Sequence, residues 1–341
     1  MVIMGVVMKG KVLVAASGGV DSSMSAKKLK DSGYKVTAIY AKMHGHEEKH
    51  ESNIANIKKV ADFLKIDFII LNLQERFEQE VIKPFTDSYL HGQTPNPCVL
   101  CNRTIKFGEL IDFALKNGFD YLATGHYAKT DGKFMYEAKD KKKDQSYFLY
   151  GIKPENLPRL LFPLQDIIKE ELKAEAATIP EFANLSTQKE SSEICFVENN
   201  YIEVLDFYGA EVENPGDVLD ANGNVIGKHK GYLQYTIGQR KGFDAPRLQT
   251  PHYVVDVNPQ TNQIVVAERE HLGSMEFTLA SENWFEKPKN ATVKIRYQSA
   301  KIECEIDGNL VKLKEPAFAI TSGQSAVFYD GEKVLGGGVI A

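Results

Sequence analysis

Val12-Leu13-Val14-Ala15-Ala16-Ser17-Gly18-Gly19-Val20-Asp21-Ser22-Ser23 decides how the rest of the chain is read. A short apolar run enters a Ser-Gly-Gly turn, and the turn enters a helix predicted from Ser22 to Ser32. Strand, glycine turn and helix in this order make an anion site. Glycines let backbone N–H groups approach phosphate oxygens, and the helix N-terminus adds a favourable dipole. Ser17, Ser22 and Ser23 add hydroxyl donors, and Asp21 is placed to help hold Mg²⁺. No Lys follows the glycines at Walker spacing, and G-x-G-x-x-G is absent, so neither common phosphate loop is present. The bland alternative is a tight strand-to-helix turn with small residues for packing.

Outward from this loop, apolar runs alternate with helical patterns. Val36–Tyr40 and Phe68–Leu73 read as strands, and Tyr121–Thr124 as a buried one. Ile54, Ile57, Val60, Ala61 and Leu64 fall at helical spacing within Ser52–Leu64. Lys106–Asn117 reads as a helix stopped by Gly118. The alternation predicts an α/β fold with a doubly wound parallel sheet. After about Tyr208 the texture is β. Asp131-Gly132, Asn222-Gly223, Asp307-Gly308 and Asp330-Gly331 are hairpin-type turns. Short strands are expected at Tyr253–Val257, Gln263–Ala267, Thr292–Tyr297, Ile302–Ile306, Val311–Lys314 and Ser325–Tyr329. The expected organisation is a nucleotide-binding domain over 1–205, a small central β domain over 206–272 and a C-terminal β-barrel over 273–341.

The chain has 341 residues, enough for two or three domains. Composition is that of a soluble globular protein, and no apolar run approaches the roughly 20 residues of a membrane span. Met1–Lys11 lacks a basic lead and a cleavage-like site, so no signal peptide is expected. Four cysteines are too few for a disulfide scaffold, which points to a reducing, cytoplasmic setting. The net charge of −5 announces no bulk attraction to nucleic acid. An RNA surface on this chain has to be local. Lys27, Lys28, Lys30, Lys141–Lys143, Lys228, Lys230, Arg240 and Lys241 are candidates for a basic track.

Thr94-Pro95-Asn96-Pro97 leads into Cys98-Val99-Leu100-Cys101. The prolines make the approach stiff and non-helical. A Cys-x-x-Cys pair can hold metal, form a redox disulfide or supply a nucleophile, and Arg103 and Lys106 would favour a thiolate. The bland reading is two buried cysteines in a turn. Cys195 lies between the α/β and β textures, and Cys304 alternates with Ile302 and Ile306 as a packing residue. His44, His46 and His50 invite a metal reading, but the glycine and charges around them favour a solvated loop.

The Ser17–Ser23 string resembles the PP-loop of the ATP pyrophosphatase superfamily. Further strings run in order along the chain: Thr94–Pro97 with Cys101-Asn102, Ala123-Thr124-Gly125-His126-Tyr127, Lys143–Leu149, Ile194-Cys195-Phe196, Gly238–Gly242, Arg296-Tyr297, Gly323–Tyr329 and Leu335–Gly338. Together they resemble the bacterial-type tRNA-specific 2-thiouridylases. The resemblance implies ATP-dependent 2-thiolation of the wobble uridine, with adenylation of the uracil 2-carbonyl oxygen. It implies nucleotide contacts from Ala15, Ala16, Ser17, Gly18, Gly19, Val20, Asp21, Ser22, Ala41 and Gly125. Sulfur would arrive as a persulfide on Cys195, from a persulfide-carrying donor protein. Cys101 would be the second catalytic cysteine and would end in a disulfide with Cys195. Asn96, Pro97, Cys98, His126, Lys143, Asp144, Gln145, Arg296, Tyr297 and Gln324 would contact tRNA. On residue type alone, His126 reads more readily as a hydrogen-bonded core histidine.

Three departures stand out. Cys98 occupies a position where many members have Asp. With Cys101 and Cys195 it makes three thiols, enough to ligate a [4Fe–4S] cluster with one iron open. Ser192-Glu193 replaces Thr-Gly, and Ala41 stands where Met is common. The competing readings are a PP-loop amide ligase or amidotransferase, and a non-enzymatic RNA-binding protein with a vestigial loop.

Overall fold

The computed structural model describes residues 9–188, 194–246 and 248–341. The chain opens with β1 (Lys11–Ala15), α1 (Val20–Asp31), β2 (Lys35–Lys42), α2 (Glu47–Leu64) and β3 (Asp67–Asn72). After α3 (Gln74–Phe77) and a π-helical turn comes α4 (Lys83–Leu90). Then α5 (Pro97–Cys101) runs through a π-helical stretch (Asn102–Glu109) into α6 (Leu110–Lys116). β4 (Tyr121–Thr124), the small hairpin β5 (Lys129–Thr130) and β6 (Met135–Tyr136), and β7 (Leu160–Leu161) follow. α7 (Lys169–Ala177) and α8 (Pro180–Ser186) come next. The contacts divide into two compact units. One holds the chain up to Val81, the stretch from Cys98 to the undescribed 189–193, and Glu332–Leu335. The other holds Ile82–Pro97, 194–331 and Gly336–Ala341.

In the first unit β3-β2-β1-β4-β7 form a sheet, parallel at every pairing. β1 is central. Val12, Leu13 and Val14 are fully buried, as a strand covered on both faces must be. Val12 and Val14 pack with Met24 and Leu29 of α1, Val60 and Leu64 of α2, Leu172 of α7 and Phe182 of α8. The chain steps outward from β1 to β2 to β3, then returns to β4 on the other flank of β1. That reversal opens a crevice at the carboxyl ends of β1 and β4, where sheets of this kind place ligands.

Two helix boundaries differ from expectation. α2 begins at Glu47 rather than Ser52, because Glu47 and Glu48 suit the positive end of a helix. The helix expected from Lys106 starts instead at Pro97, whose missing N–H and fixed φ suit the first helical position. Cys98 and Cys101 therefore stand on a helix and not in a turn.

The second unit carries α9 (Tyr201–Phe207), whose first turn is capped by the Asn200 side chain, accepting from the Ile202 and Glu203 amides. β8 (Gly216–Leu219), β9 (Val225–His229), β10 (Tyr253–Asn258) and β11 (Gln263–Ala267) form a sheet in the order β10-β11-β8-β9. Its core is Val218, Tyr235, Val254, Ile264 and Val266. β12 (Gly273–Trp284), β13 (Asn290–Lys294), β14 (Ile302–Asp307), β15 (Leu310–Phe318), β16 (Ser325–Asp330) and β17 (Lys333–Ile340) complete the chain. They run β12-β15-β14-β13-β16-β17, and pairing of β12 with β17 closes a six-stranded barrel. Each of the four Asx-Gly turns joins two strands. The pattern missed β8, β9, β12 and β17. β17 carries Gly336-Gly337-Gly338, which opposes strand propensity, yet Gly336 and Gly337 pair with Trp284 and Asn283. Cys304 is buried on β14, and burial pushes its thiol up to about 11. No helix among the described residues is long and apolar enough to cross a membrane.

Leu13→Ala removes side-chain volume from the middle of the central strand and is expected to cost about 2–5 kcal/mol. A urea titration of the variant should show that loss as a lowered midpoint.

Candidate active site

The loop after β1 is tightened by its own serines. The Ser17 amide donates to Ser22 Oγ (3.1 Å), and the Ser22 and Ser23 hydroxyls donate to the Gly19 carbonyl (3.2 and 2.9 Å). Gly18 has φ of +84°, and a Cβ there would lie 2.9 Å from Asn53 Cα. Over Gly19 a Cβ would meet nothing nearer than Ser17 Oγ at 3.7 Å, so the loop's outer face is open for a phosphate. Gly125, just past β4, backs the loop from the other side of the switch point. A Cβ on it would sit 2.9 Å from the Ser22 amide nitrogen and 3.0 Å from the Asp21 carbonyl carbon. Ala15, Ala16 and Ala41 are half-buried at the ends of β1 and β2.

Asp21 is not an isolated carboxylate. Lys169 Nζ donates to both of its oxygens (2.7 and 2.6 Å), and Tyr127 Oη donates to Oδ1 (2.9 Å). The Lys169 side chain is only 4% exposed, whereas Asp21 keeps 32%. Lys169 also lies 5.7 Å from the Tyr127 ring, and its backbone amide donates to Asp140 Oδ2 (2.9 Å). This buried cation beside the loop is not foreshadowed by the sequence pattern. Its local signal, a Lys opening an amphipathic helix, is common on ordinary surfaces. Only the fold brings it to the loop. Asp21 retains an open edge and is the residue that fits a Mg²⁺ beside bound phosphates.

His126 is buried, and its Nδ1 is 2.8 Å from Thr124 Oγ1. Burial holds its pKa well below 6.5, and Lys106 adds to the effect, so the ring is neutral at pH 7. Asp144 is also buried. Its carboxylate accepts from the Ala138 amide and the Ser146 hydroxyl (both 2.8 Å), and burial raises its pKa. Gln145 Oε1 accepts from the Tyr127 amide (3.0 Å), while Lys143 beside them is half-buried. These residues order the loop that supports Tyr127.

His44, His46 and His50 form neither a metal site nor a solvated loop. His44 and His50 are buried and stacked at 4.3 Å. His50 Nε2 lies 2.6 Å from the His44 carbonyl, and His50 Nδ1 lies 2.6 Å from Tyr40 Oη, which also accepts from Asn53 (3.3 Å). The carbonyl requires a proton on Nε2, so Nδ1 of a neutral His50 accepts from Tyr40. A hydrogen-bonded chain thus runs from the residue packed on Gly18 to the end of β2. Burial lowers His44 to about 4.

Cys101 is buried, Cys98 is partly exposed one helical turn earlier, and Cys195 is exposed in the other unit. All four cysteines are thiols, so the expected disulfide is absent among the described residues. Nor are three His, Cys, Asp or Glu side chains grouped to hold a metal ion among those residues. α5 supplies two thiols from one turn, and the iron–sulfur expectation finds no assembled third. Ser192-Glu193 lies outside the described residues.

In the second unit, Gln324 Nε2 donates to the Thr94 carbonyl (2.7 Å), and the Thr94 amide donates to the Ser322 carbonyl (2.9 Å). Gln324 thus fastens the proline strap that contains half-buried Asn96 and buried Pro97. Arg296 is exposed, with Nη2 donating to the Phe318 carbonyl (2.8 Å), and Tyr297 is half-buried. Much of the expected basic track is engaged internally. Lys27 pairs with Asp31, Lys28 with Glu175, Lys141 with Glu332 and Lys228 with Asp217, while Lys30 donates to the Leu64 carbonyl.

Three family models match in succession: a tRNA methyl transferase HUP domain over 10–199, a tRNA methyl transferase PRC-barrel domain over 204–268 and an aminomethyltransferase β-barrel domain over 269–340. Curated relatives match from end to end. The tRNA-specific 2-thiouridylase MnmA of Nitratiruptor sp. is 53% identical, over 98% of this chain and 100% of its own length. The chain belongs to the tRNA-specific 2-thiouridylase family. The enzyme of that name from Sulfurimonas denitrificans is 51% identical over 98% of this chain and 99% of its own, and that of Campylobacter jejuni strain RM1221 is 48% identical over 97% and 99%. The domain descriptions speak of methyl transfer, whereas these full-length 2-thiouridylases are named for thiolation.

Lys169→Met strands the Asp21 carboxylate. Removing one partner of a buried pair costs about 3–5 kcal/mol, and the exposed edge of Asp21 reduces this to about 2 kcal/mol. Urea unfolding of Lys169→Met, Asp21→Asn and the double variant should show strong non-additivity. A second expectation concerns pH. Unfolded His44 takes up a proton near pH 6.5 but the folded residue only near 4, so stability falls as pH drops through that interval. Unfolding measured across pH 7 to 4 should show a shallower decline in His44→Phe.

Proposed function

We propose that this chain thiolates carbon 2 of the wobble uridine, position 34, in tRNA, at the expense of ATP. One observation carries the reading: an open phosphate-type loop with a held carboxylate sits at the switch point of a chain that matches 2-thiouridylases over its whole length. The chemical obstacle is the uracil 2-carbonyl oxygen, a poor leaving group. Transfer of AMP to that oxygen, with pyrophosphate released, turns it into a good one. The Gly18–Ser22 amides and α1 would bind the polyphosphate, and Gly125 would let the end of β4 pack against the first turn of α1. Asp21 would hold Mg²⁺, which supplies charge compensation on the phosphates. Lys169, kept dry beside Asp21, would add positive charge where negative charge gathers.

Cys195 would carry a persulfide delivered by a donor protein. Cys101 thiolate would attack the Cys195 sulfur, forming a Cys101–Cys195 disulfide and releasing hydrosulfide. The hydrosulfide would displace AMP from carbon 2. The target base has to leave the anticodon stack for this. Arg296 and Tyr297 suit phosphate pairing and base stacking in an unpaired loop. Asn96, Pro97, Cys98, His126, Lys143, Asp144, Gln145 and Gln324 would contact the tRNA. In this reading residues 1–205 catalyse, 206–272 connect and 273–341 grip the tRNA.

Purified protein given ATP, Mg²⁺, a persulfide donor and unmodified tRNA should yield 2-thiouridine on nucleoside analysis. Cys195→Ala and Cys101→Ala are expected to lose at least 10³-fold in rate, a nucleophile-scale effect, while Cys304→Ala retains product. Undiminished thiolation by Cys195→Ala would overturn the mechanism.

A further inference from the structure

We infer that Cys98 is a resolving thiol that takes over the disulfide from Cys195 by forming a bond to Cys101 along one turn of α5. The inference rests on the sulfur-transfer reading, in which every turnover leaves Cys101 joined to Cys195. That bond must be reduced before Cys195 can accept sulfur again.

Cys101 is poorly placed to meet a reductant, since it is 6% exposed. Cys98 is three residues earlier on the same helix and partly exposed. Helical residues three apart lie on one face, with Cβ atoms about 5–6 Å apart. A disulfide needs Cβ atoms about 3.5–4.5 Å apart and Cα atoms within about 4.4–6.8 Å. Closure therefore asks for roughly an ångström of approach. The site is the first turn of the helix, which begins at Pro97, a residue with no N–H.

The step balances without an added oxidant. Cys98 thiolate attacks Cys101 Sγ. The Cys98–Cys101 bond forms, the Cys101–Cys195 bond breaks, and its electron pair leaves on Cys195, which takes a proton from solvent. Cys195 is then ready for reloading. A dithiol reductant supplies two electrons and two protons to the Cys98–Cys101 bond through its more exposed sulfur. A chain without a thiol at position 98 would need the reductant to reach the Cys101–Cys195 bond directly.

The test is a single turnover of persulfide-loaded protein with ATP, Mg²⁺ and unmodified tRNA, without reductant. It is followed by acid quench, alkylation and mass spectrometry of tryptic peptides. One peptide holds both Cys98 and Cys101, because no cleavable Lys or Arg separates them. It should emerge unalkylated and lighter by two hydrogens, with Cys195 alkylated. Cys98→Ser should instead retain the Cys101–Cys195 cross-link, and its steady-state rate under a dithiol reductant should fall about tenfold. Thiouridine formed by wild type with Cys101 still joined to Cys195 and Cys98 alkylated would overturn this inference alone. Absence of both thiouridine and any disulfide would overturn the sulfur-transfer reading with it.

Discussion

The bidentate contact of Lys169 with Asp21 brings together charged groups from distant parts of the chain. Asp21 opens the helix after β1, Tyr127 follows β4, and Lys169 opens α7. A buried ammonium is tolerable only with its counter-charge in contact, so placing Lys169 also fixes Asp21. Asp140 holds the Lys169 backbone, and Asp144 and Gln145 order the loop beneath Tyr127. The electrostatics of the site are thus set by a scaffold that spans most of the first unit.

Local pattern revealed most of the architecture. The run Val12–Ala16 could only be a covered strand, and the glycines after it could only be a close turn. The four Asx-Gly pairs each turned out to join strands. What escaped was set by neighbours rather than by the segment itself. β17 is a strand despite three successive glycines because β12 lies against it. Pro97 read as a barrier to helix, yet it is the residue on which the helix begins.

The site was legible where its chemistry is local and obscure where it is assembled. The loop and Gly125 are written as short strings. Lys169 lies 148 residues from Asp21, and no spacing rule connects them. The histidines depart from expectation for a related reason. Glycine and charge around His44 suggest solvent, but His50 falls on the buried face of α2 and draws His44 under it.

The internal pairing of the lysines has a thermodynamic consequence. Attraction between a protein and RNA draws much of its free energy from cations released off the phosphates, one for each phosphate newly neutralised. A lysine already matched to Asp or Glu contributes little to that release, and Lys27, Lys28, Lys141 and Lys228 are so matched. Binding by such a surface depends weakly on ionic strength and strongly on the fit of bases and loop. In a chain of net charge −5, an RNA surface built this way would draw little on bulk electrostatic attraction.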